Sequence, residues 1–314
     1  MTMTQHVTAV VVSWNTATLL EDCLRGIHAD IPAGCAVQTV VVDNASGDDS
    51  VEVARRWDGV DVIVNDLNVG FCRANNQAIR ATSGRWVLMV NADAVLEPGC
   101  LEQLLLRGEA DPRTAVVAPR LVFGDGRWQR WTAGCEPNLW TMAMFLTGAD
   151  RLSGWLPALR GHYLGADTRH AFRPDWVSSA CLLVRREALE QVGLLDERIF
   201  VYMDDVDLCR RLRNQGWDIW YEPAAQAVHL MGQSTLRQTG RTSPEALRAF
   251  NRYFLSQQGA HRTRLLRAMQ VVGFATRAGV HAVLALAQRE SAHLASSAAH
   301  LTHLSLSLET PERP

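Results

Sequence analysis

The chain has 314 residues, 47% of them hydrophobic, with a formal net charge of −2. That length can bury a full core as one large domain or two unequal ones, and so balanced a charge gives no reason to expect a nucleic-acid partner. All 31 basic residues are arginine, which excludes a lysine nucleophile, a Schiff base and the lysine of a phosphate-binding P-loop.

Seven cysteines are dispersed without a C-x-x-C pair, so neither a zinc knuckle nor a disulfide framework is signalled. Such a set suits a reducing cytosol, with most thiols buried as small apolar residues. Met1–His6 is polar and runs straight into a strand, so no signal peptide is expected. No uncharged apolar stretch reaches the ~18 residues of a membrane-spanning helix. The expected location is cytoplasmic.

The first half alternates strand and helix. Strands are predicted at Val7–Ser13, Gln38–Val42, Val60–Val64, Trp86–Val90 and Ala115–Leu121. Helices are predicted at Ala17–Ile27, Val51–Arg56, Ala74–Ala81 and Leu101–Arg107. In the first helix Leu19, Leu20, Cys23, Leu24 and Ile27 form one face. This alternation implies parallel βαβ units and a Rossmann-like, mostly parallel sheet.

Four of these strands end in polar residues: Ser13-Trp14-Asn15, Asp43-Asn44, Asn65 with Asn68, and Asn91-Ala92-Asp93. Each alone reads equally as a turn. Four converging on one edge of an α/β sheet read as a cleft, because ligands bind outside the carboxyl ends of the strands. The fingerprints G-x-G-x-x-G and G-x-x-x-x-G-K-[ST] are both absent, which counts against dinucleotides and P-loop nucleotides. Asp43 can accept from a ribose hydroxyl or a base N–H. Asp93 can hold Mg²⁺ or Mn²⁺ against a diphosphate, since both prefer oxygen donors.

The middle, Phe123–Asp175, is less regular and rich in Trp and Arg. It reads either as a sugar- or phosphate-facing surface or as ordinary packing, with Leu139–Leu146 a short amphipathic helix. Trp176–Val184 is predicted as one strand whose small residues Ser178–Ala180 permit close approach of a ligand. Arg185–Val192 is a helix stopped by Gly193. At Met203-Asp204-Asp205-Val206-Asp207, Asp204 is the predicted N-cap and Asp207 completes an acidic capping box. Asp205 is then the surplus acid, and the helix dipole is expected to hold it ionised at a lowered pKa.

The segments Val10–Asn15, Val41–Ser46, Asn68–Phe71, Asn91–Asp93 and Met203–Leu208 resemble, in order and spacing, the motifs of the family 2 glycosyltransferases. The nearest likeness is to rhamnosyltransferase-like enzymes of surface-polysaccharide assembly. The resemblance runs from about Val7 to Ser234 and implies a GT-A fold and inversion at the anomeric carbon. It implies that Ser13, Trp14 and Asn15 border the nucleoside pocket and that Asp43 binds the base. Arg73 and Asn91 lie toward the nucleotide, and Asp93 and His229 hold the divalent cation. Asp205, with Asp204 beside it, serves the acceptor. The donor implied is a dTDP-, UDP- or GDP-sugar, and the acceptor a glycan or polyprenyl-linked sugar in cell-wall or polysaccharide biosynthesis. Two positions depart from the pattern: Asn91 replaces the first acid of D-x-D, removing one carboxylate from the metal site, and Asp204 replaces the glutamate of the E-D pair.

The expected domains are a nucleotide-sugar-binding catalytic domain over 1–234 and a C-terminal helical region over 235–314. In that region Thr242–Gly259, capped by Ser243-Pro244-Glu245, and His261–Gln288 read as helices, followed by an amphipathic Ser291–Glu309 and a frayed terminus. Its basic amphipathic character suits peripheral contact with the inner face of the plasma membrane, or packing against the catalytic domain or a second copy in a homodimer. A sugar-nucleotide pyrophosphorylase would want a glycine-rich basic loop after the first strand, which Ser13-Trp14-Asn15-Thr16 does not supply. A noncatalytic nucleotide-sugar sensor, degenerate at Asn91, is the alternative on sequence; a membrane scaffold ignores the ordered motifs.

Overall fold

The computed structural model describes residues 5–230, 244–288 and 291–308. The predicted cap at Ser243, the end of the family resemblance at Ser234 and the terminus 310–314 lie outside the described residues. In chain order the elements are β1 (Gln5–Ser13), α1 (Ala17–Ala29), β2 (Cys35–Asp43), α2 (Ser50–Arg55), β3 (Val60–Val64), α3 (Phe71–Ala81), β4 (Trp86–Asn91) and β5 (Ala94–Leu96). Then come α4 (Cys100–Ala110), β6 (Thr114–Val122), β7 (Ala133–Gly134), α5 (Leu139–Thr147), β8 (Trp176–Val177), β9 (Cys181–Arg185), α6 (Arg186–Gln191) and α7 (Asp204–Asn214). β10 (Asp218–His229), α8 (Pro244–Gln288) and α9 (Ser291–Leu308) complete the series. The chain divides into two compact units, Met1–Gly134 with Asp167–Ser234, and Cys135–Ala166 with Thr235–Pro314.

The first unit is built on an eight-stranded sheet in the order β3-β2-β1-β4-β9-β6-β10-β5. β1 runs parallel to β2 and β4, β2 to β3, and β6 to β10, whereas β9 is antiparallel to both β4 and β6, and β5 to β10. β1, β2, β3, β4, β6 and β10 therefore share one direction, and the carboxyl ends of all six lie on one edge. The strands read as continuous Val/Ile/Leu runs because helices cover both faces. Val7, Ala9 and Val11 of β1, with Trp86 and Leu88 of β4, pack against Leu20, Leu24 and Ile27 of α1 and Leu101 and Leu104 of α4.

The predicted single strand Trp176–Val184 is broken. β8 leaves the main sheet to pair with β7, and only β9 enters between β4 and β6. Ser178 makes the break: its amide donates to Thr132 O at 2.8 Å while its hydroxyl accepts from Ala180 N at 3.3 Å. A serine offering the backbone such local bonds competes with the ladder.

In the second unit, α5 is capped by Asn138 and Thr141 in a reciprocal capping box. It packs on α8, where Gly273 leaves room for Leu146. Arg277 lays its guanidinium 4.8 Å over the Phe145 ring and donates to Leu146 O. α8 bends at Gly259, φ 78°, where the sequence predicted a helix end. Buried Gln270 bridges that bend to Asn251 at 3.0 Å. α9 returns along α8, with Arg267 donating to Ser307 O and Ser297 to Ala278 O. Two arginines of the basic stripe thus serve helix packing, and no helix among the described residues is long and apolar enough to cross a membrane.

Candidate active site

Ser13, Asp43, Asn91 and His229 are the last residues of β1, β2, β4 and β10, so the strand directions bring all four to the carboxyl edge. The β1 and β2 ends are stitched to each other. Asn15, at φ 54°, accepts from Gly47 N at 2.8 Å, and its own amide donates to Ser46 Oγ at 2.9 Å. Both oxygens of Asp43 accept from Ser46, one from the amide at 2.9 Å and one from the hydroxyl at 2.6 Å. Ser13 bonds Thr16 through its hydroxyl. Asp43 is buried and here shapes the loop bordering the edge, with Trp14 half-buried beside it. Arg73 lies on α3 and pairs with Glu197 at 3.4 Å.

Asp93 follows β4, and its carbonyl accepts from Leu230 N at 2.9 Å. β5 then pairs antiparallel with β10, placing His229 opposite Ala94. This register brings His229 Nε2 to 3.4 Å from Asp93 Oδ1, with both side chains buried. Residues far apart in sequence become neighbours through one short ladder. Behind them Gln129, wholly buried, donates to Val122 O and His229 O, and its Oε1 lies 3.1 Å from His229 Nδ1.

The second acid cluster opens α7. The capping box expected there does not form: Asp204 is the first helical residue, and the N-cap is Met203 at φ 69°, without a side-chain bond. Tyr202 also has positive φ, 64°; two consecutive non-glycine residues in the left-handed region are a strained lead-in of the kind found at functional sites. Asp204 instead accepts from Ser179 Oγ at 2.7 Å. Asp207 pairs with Arg211 at 2.7 Å, and Arg211 holds Val192 O and Leu194 O. Asp205 accepts from Val206 N at 2.8 Å and from the Ser179 amide.

The expected lowering of the Asp205 pKa is also overturned. Burial, and then the adjacent Asp204 carboxylate, push it up to about 8, outweighing the amide donors. Burial raises Asp204 as well. A carboxyl near neutrality is a stronger base than an ordinary aspartate, which suits proton removal from a hydroxyl.

Residues Ser179 and Ala180 connect the two clusters. Asn91 N donates to Ala180 O at 2.9 Å, while Ser179 binds both Asp204 and Asp205. The end of β4 that leads into Asp93 is thus two residues of backbone from the groups that hold Asp205. Sequence reasoning valued Ser178–Ala180 only for small size and gave Gln129 no role; a lone Ser or Gln carries no pattern that reveals such contacts.

Gly70 positions the lead-in to α7. Its φ is +87°, and a Cβ there would lie 2.9 Å from the Phe200 carbonyl oxygen; Phe71 N donates to that oxygen at 2.8 Å. Gly70→Ala is expected to cost roughly 1–3 kcal/mol, read as a lower Tm, and to reduce turnover by displacing Phe200–Met203. An unchanged melt would show that the loop yields freely.

Among the described residues no set of three His, Cys, Asp or Glu side chains is arranged around a metal ion. Asp93 and His229 nevertheless fit a divalent cation that draws its other ligands from phosphate and water. One carboxylate oxygen with one imidazole nitrogen favours Mn²⁺ over Mg²⁺. The buried thiols of Cys23 and Cys72, raised chiefly by burial, are not nucleophiles.

The N-acetylglucosaminyl-diphospho-decaprenol L-rhamnosyltransferase of Mycobacterium tuberculosis is 29% identical over 255 residues, 75% of this chain and 79% of that one. Two solved structures share the fold. GalNAc-T7, solved with UDP, GalNAc and Mn²⁺, superposes with a TM-score of 0.59 at 14% identity, over 81% of this chain and about half, 48%, of its own length. The mannosyltransferase PcManGT of Pyrobaculum calidifontis, with GDP-Man and Mn²⁺, superposes at 0.55 and 18% identity, over 96% and 86%. The sheet is that of the GT-A glycosyltransferases, with a C-terminal helical extension. The profile described as Glycosyl transferase family 2 matches residues 8–172. The chain is a glycosyltransferase and belongs to glycosyl transferase family 2.

Proposed function

We propose that this chain is an inverting transferase that moves a sugar, rhamnose first among the candidates, from a nucleoside-diphosphate donor to a polyprenyl-diphosphate-linked glycan. The observation that carries the reading is the meeting of Asp93 and His229 at 3.4 Å on the carboxyl edge, with the Asp205 cluster bonded to that same edge through Ser179. The sugar and acceptor follow the name of the mycobacterial relative.

Asp93 and His229 would hold the cation, which when bound supplies Lewis-acid stabilisation of the departing diphosphate. Ser13, Trp14, Asn15 and Asp43 shape the nucleoside end, with Arg73 and Asn91 toward the nucleotide. Asp205 accepts the proton of the acceptor hydroxyl as its oxygen attacks the anomeric carbon from the face opposite the diphosphate. The C1–O bond to the diphosphate breaks as the new C1–O bond forms, inverting configuration. Asp204, ordered by Ser179, contributes its charge to keep Asp205 basic.

The base works as a carboxylate, so its raised pKa makes transfer rise with pH until about 8. Asp204→Asn removes the neighbouring charge and should move the midpoint of that rise to lower pH, in kcat/KM measured from pH 5 to 9. A midpoint unmoved by the substitution would discard the coupling.

Thermal shift with Mn²⁺ and a panel of dTDP-, UDP- and GDP-sugars tests the donor, since a ligand selective for the folded state raises Tm. Product formation from dTDP-rhamnose and N-acetylglucosaminyl-diphospho-polyprenol, with the anomeric configuration read by NMR, tests the reaction. A retained configuration would reject the single displacement. For the peripheral membrane contact, the support is exposed Leu152, Trp155 and Leu156, with Trp155 93% accessible, on a segment that carries Arg151. Trp beside Arg suits an interfacial position. Trp155→Ser should weaken flotation with anionic phosphatidylglycerol vesicles.

A further inference from the structure

We propose that Gln129 is a positioning residue that fixes the Nδ1–H tautomer of His229 and so presents its Nε2, beside Asp93, to a divalent cation. The proposal rests on the metal reading of Asp93 and His229.

Gln129 Nε2 lies 3.2 Å from Val122 O and 2.5 Å from His229 O. Both neighbours are carbonyl oxygens, which only accept, so the NH₂ end must face them. The reverse orientation would set three acceptor oxygens against one another in a wholly buried place. The amide orientation is thus decided by its surroundings rather than chosen freely.

Oε1 is then left facing His229 Nδ1 at 3.1 Å. An amide oxygen can only accept, so Nδ1 must carry the hydrogen. In the neutral ring the lone pair sits on Nε2, the atom 3.4 Å from Asp93 Oδ1. A lone pair and a carboxylate oxygen at that distance repel unless a positive charge lies between them. With the ring neutral, the arrangement presents two electron-pair donors to one shared cation; a second ring proton would instead let Nε2–H pair with Asp93. With the other tautomer, Nε2–H would donate to Asp93 and close the site.

Both ends of the link are anchored. Gln129 N donates to Leu121 O at 3.0 Å, near the end of β6, and its side chain also holds Val122 O. β6 pairs in parallel with β10, with Val122 opposite Val228. Gln129 thus ties the β6 end to the β10 end and orients the imidazole between them. A group that accepts from the non-ligating nitrogen fixes a metal-binding histidine, and its loss commonly costs about 10–100-fold in metal affinity.

The test has two arms. In the unsubstituted chain at pH 8, ¹⁵N NMR of labelled histidine should show His229 protonated at Nδ1 and bare at Nε2. A proton on Nε2 overturns the proposal, and this arm needs no variant to fold. In the second arm, Mn²⁺ is titrated by electron paramagnetic resonance with whichever of UDP, dTDP or GDP stabilises the chain most. Gln129→Met, confirmed folded by its Tm, should weaken Mn²⁺ at least about tenfold. If Gln129→Met binds Mn²⁺ as the unsubstituted chain does while His229→Ala loses it, Gln129 has no such role and the metal reading stands. If His229→Ala also binds unchanged, the metal reading falls and the proposal with it.

Discussion

Asp205→Asn is expected to lower transfer by about 10²–10⁴-fold, a barrier increase of about 3–5 kcal/mol, while leaving Mn²⁺-dependent donor binding unchanged. The amide keeps the shape and can still accept from Val206 N, as the carboxylate does at 2.8 Å, but it cannot take a proton. The loss should therefore appear in kcat with little change in donor affinity. Stability should move the other way. An aspartate whose folded-state pKa is raised binds more protons folded than unfolded, so the fold loses stability as pH rises from about 4 to about 8. Asn lacks this penalty, and the variant should melt higher than the parent at pH 8. Full turnover by a folded Asp205→Asn chain would discard the assignment, and a lower Tm at pH 8 would discard the account of its environment.

Asp93→Asn should produce a different pattern. Removing the charged oxygen of a two-donor site should weaken Mn²⁺ with nucleotide by at least about a hundredfold and remove several kcal/mol of leaving-group stabilisation. Donor affinity and rate then fall together, whereas Asp205→Asn affects rate alone. The fold should survive, because the link from residue 93 to Leu230 runs through its backbone carbonyl. Donor affinity that stays metal-dependent and undiminished would show that the cation sits elsewhere.

The contrast between the two acids also shows what a sequence can carry. The βαβ order was legible because each strand is an apolar run and each helix has one buried stripe, as with Leu20, Cys23, Leu24 and Ile27 in α1. Asp93 stood out because a polar strand end in an α/β sheet is a recognisable place for a ligand, and the fold sets it beside His229. The same local rules misread the start of α7. Asp204 has the composition of a cap, yet Ser179, brought in by β9, takes its carboxylate and leaves Met203 as the cap. The dipole rule pointed Asp205 downward in pKa, but burial among distant residues raised it. Gln129 and His229 meet only because β6 and β10 pair, a contact across 100 residues. Cys135–Ala166 belongs with the C-terminal helices for a like reason: Gly273 and Arg277 of α8 fit Leu146 and Phe145 of α5. Local chemistry can be read from neighbours in sequence; tertiary pairing decides how much of it survives.

The most direct test of the account is an anomalous diffraction measurement on crystals grown with Mn²⁺ and the stabilising nucleoside diphosphate. The account predicts one Mn²⁺ peak bound by Asp93 and by Nε2 of His229, with the diphosphate on its other side. Nucleotide bound at the carboxyl edge without a Mn²⁺ peak at that pair, or with the peak on other residues, would contradict it.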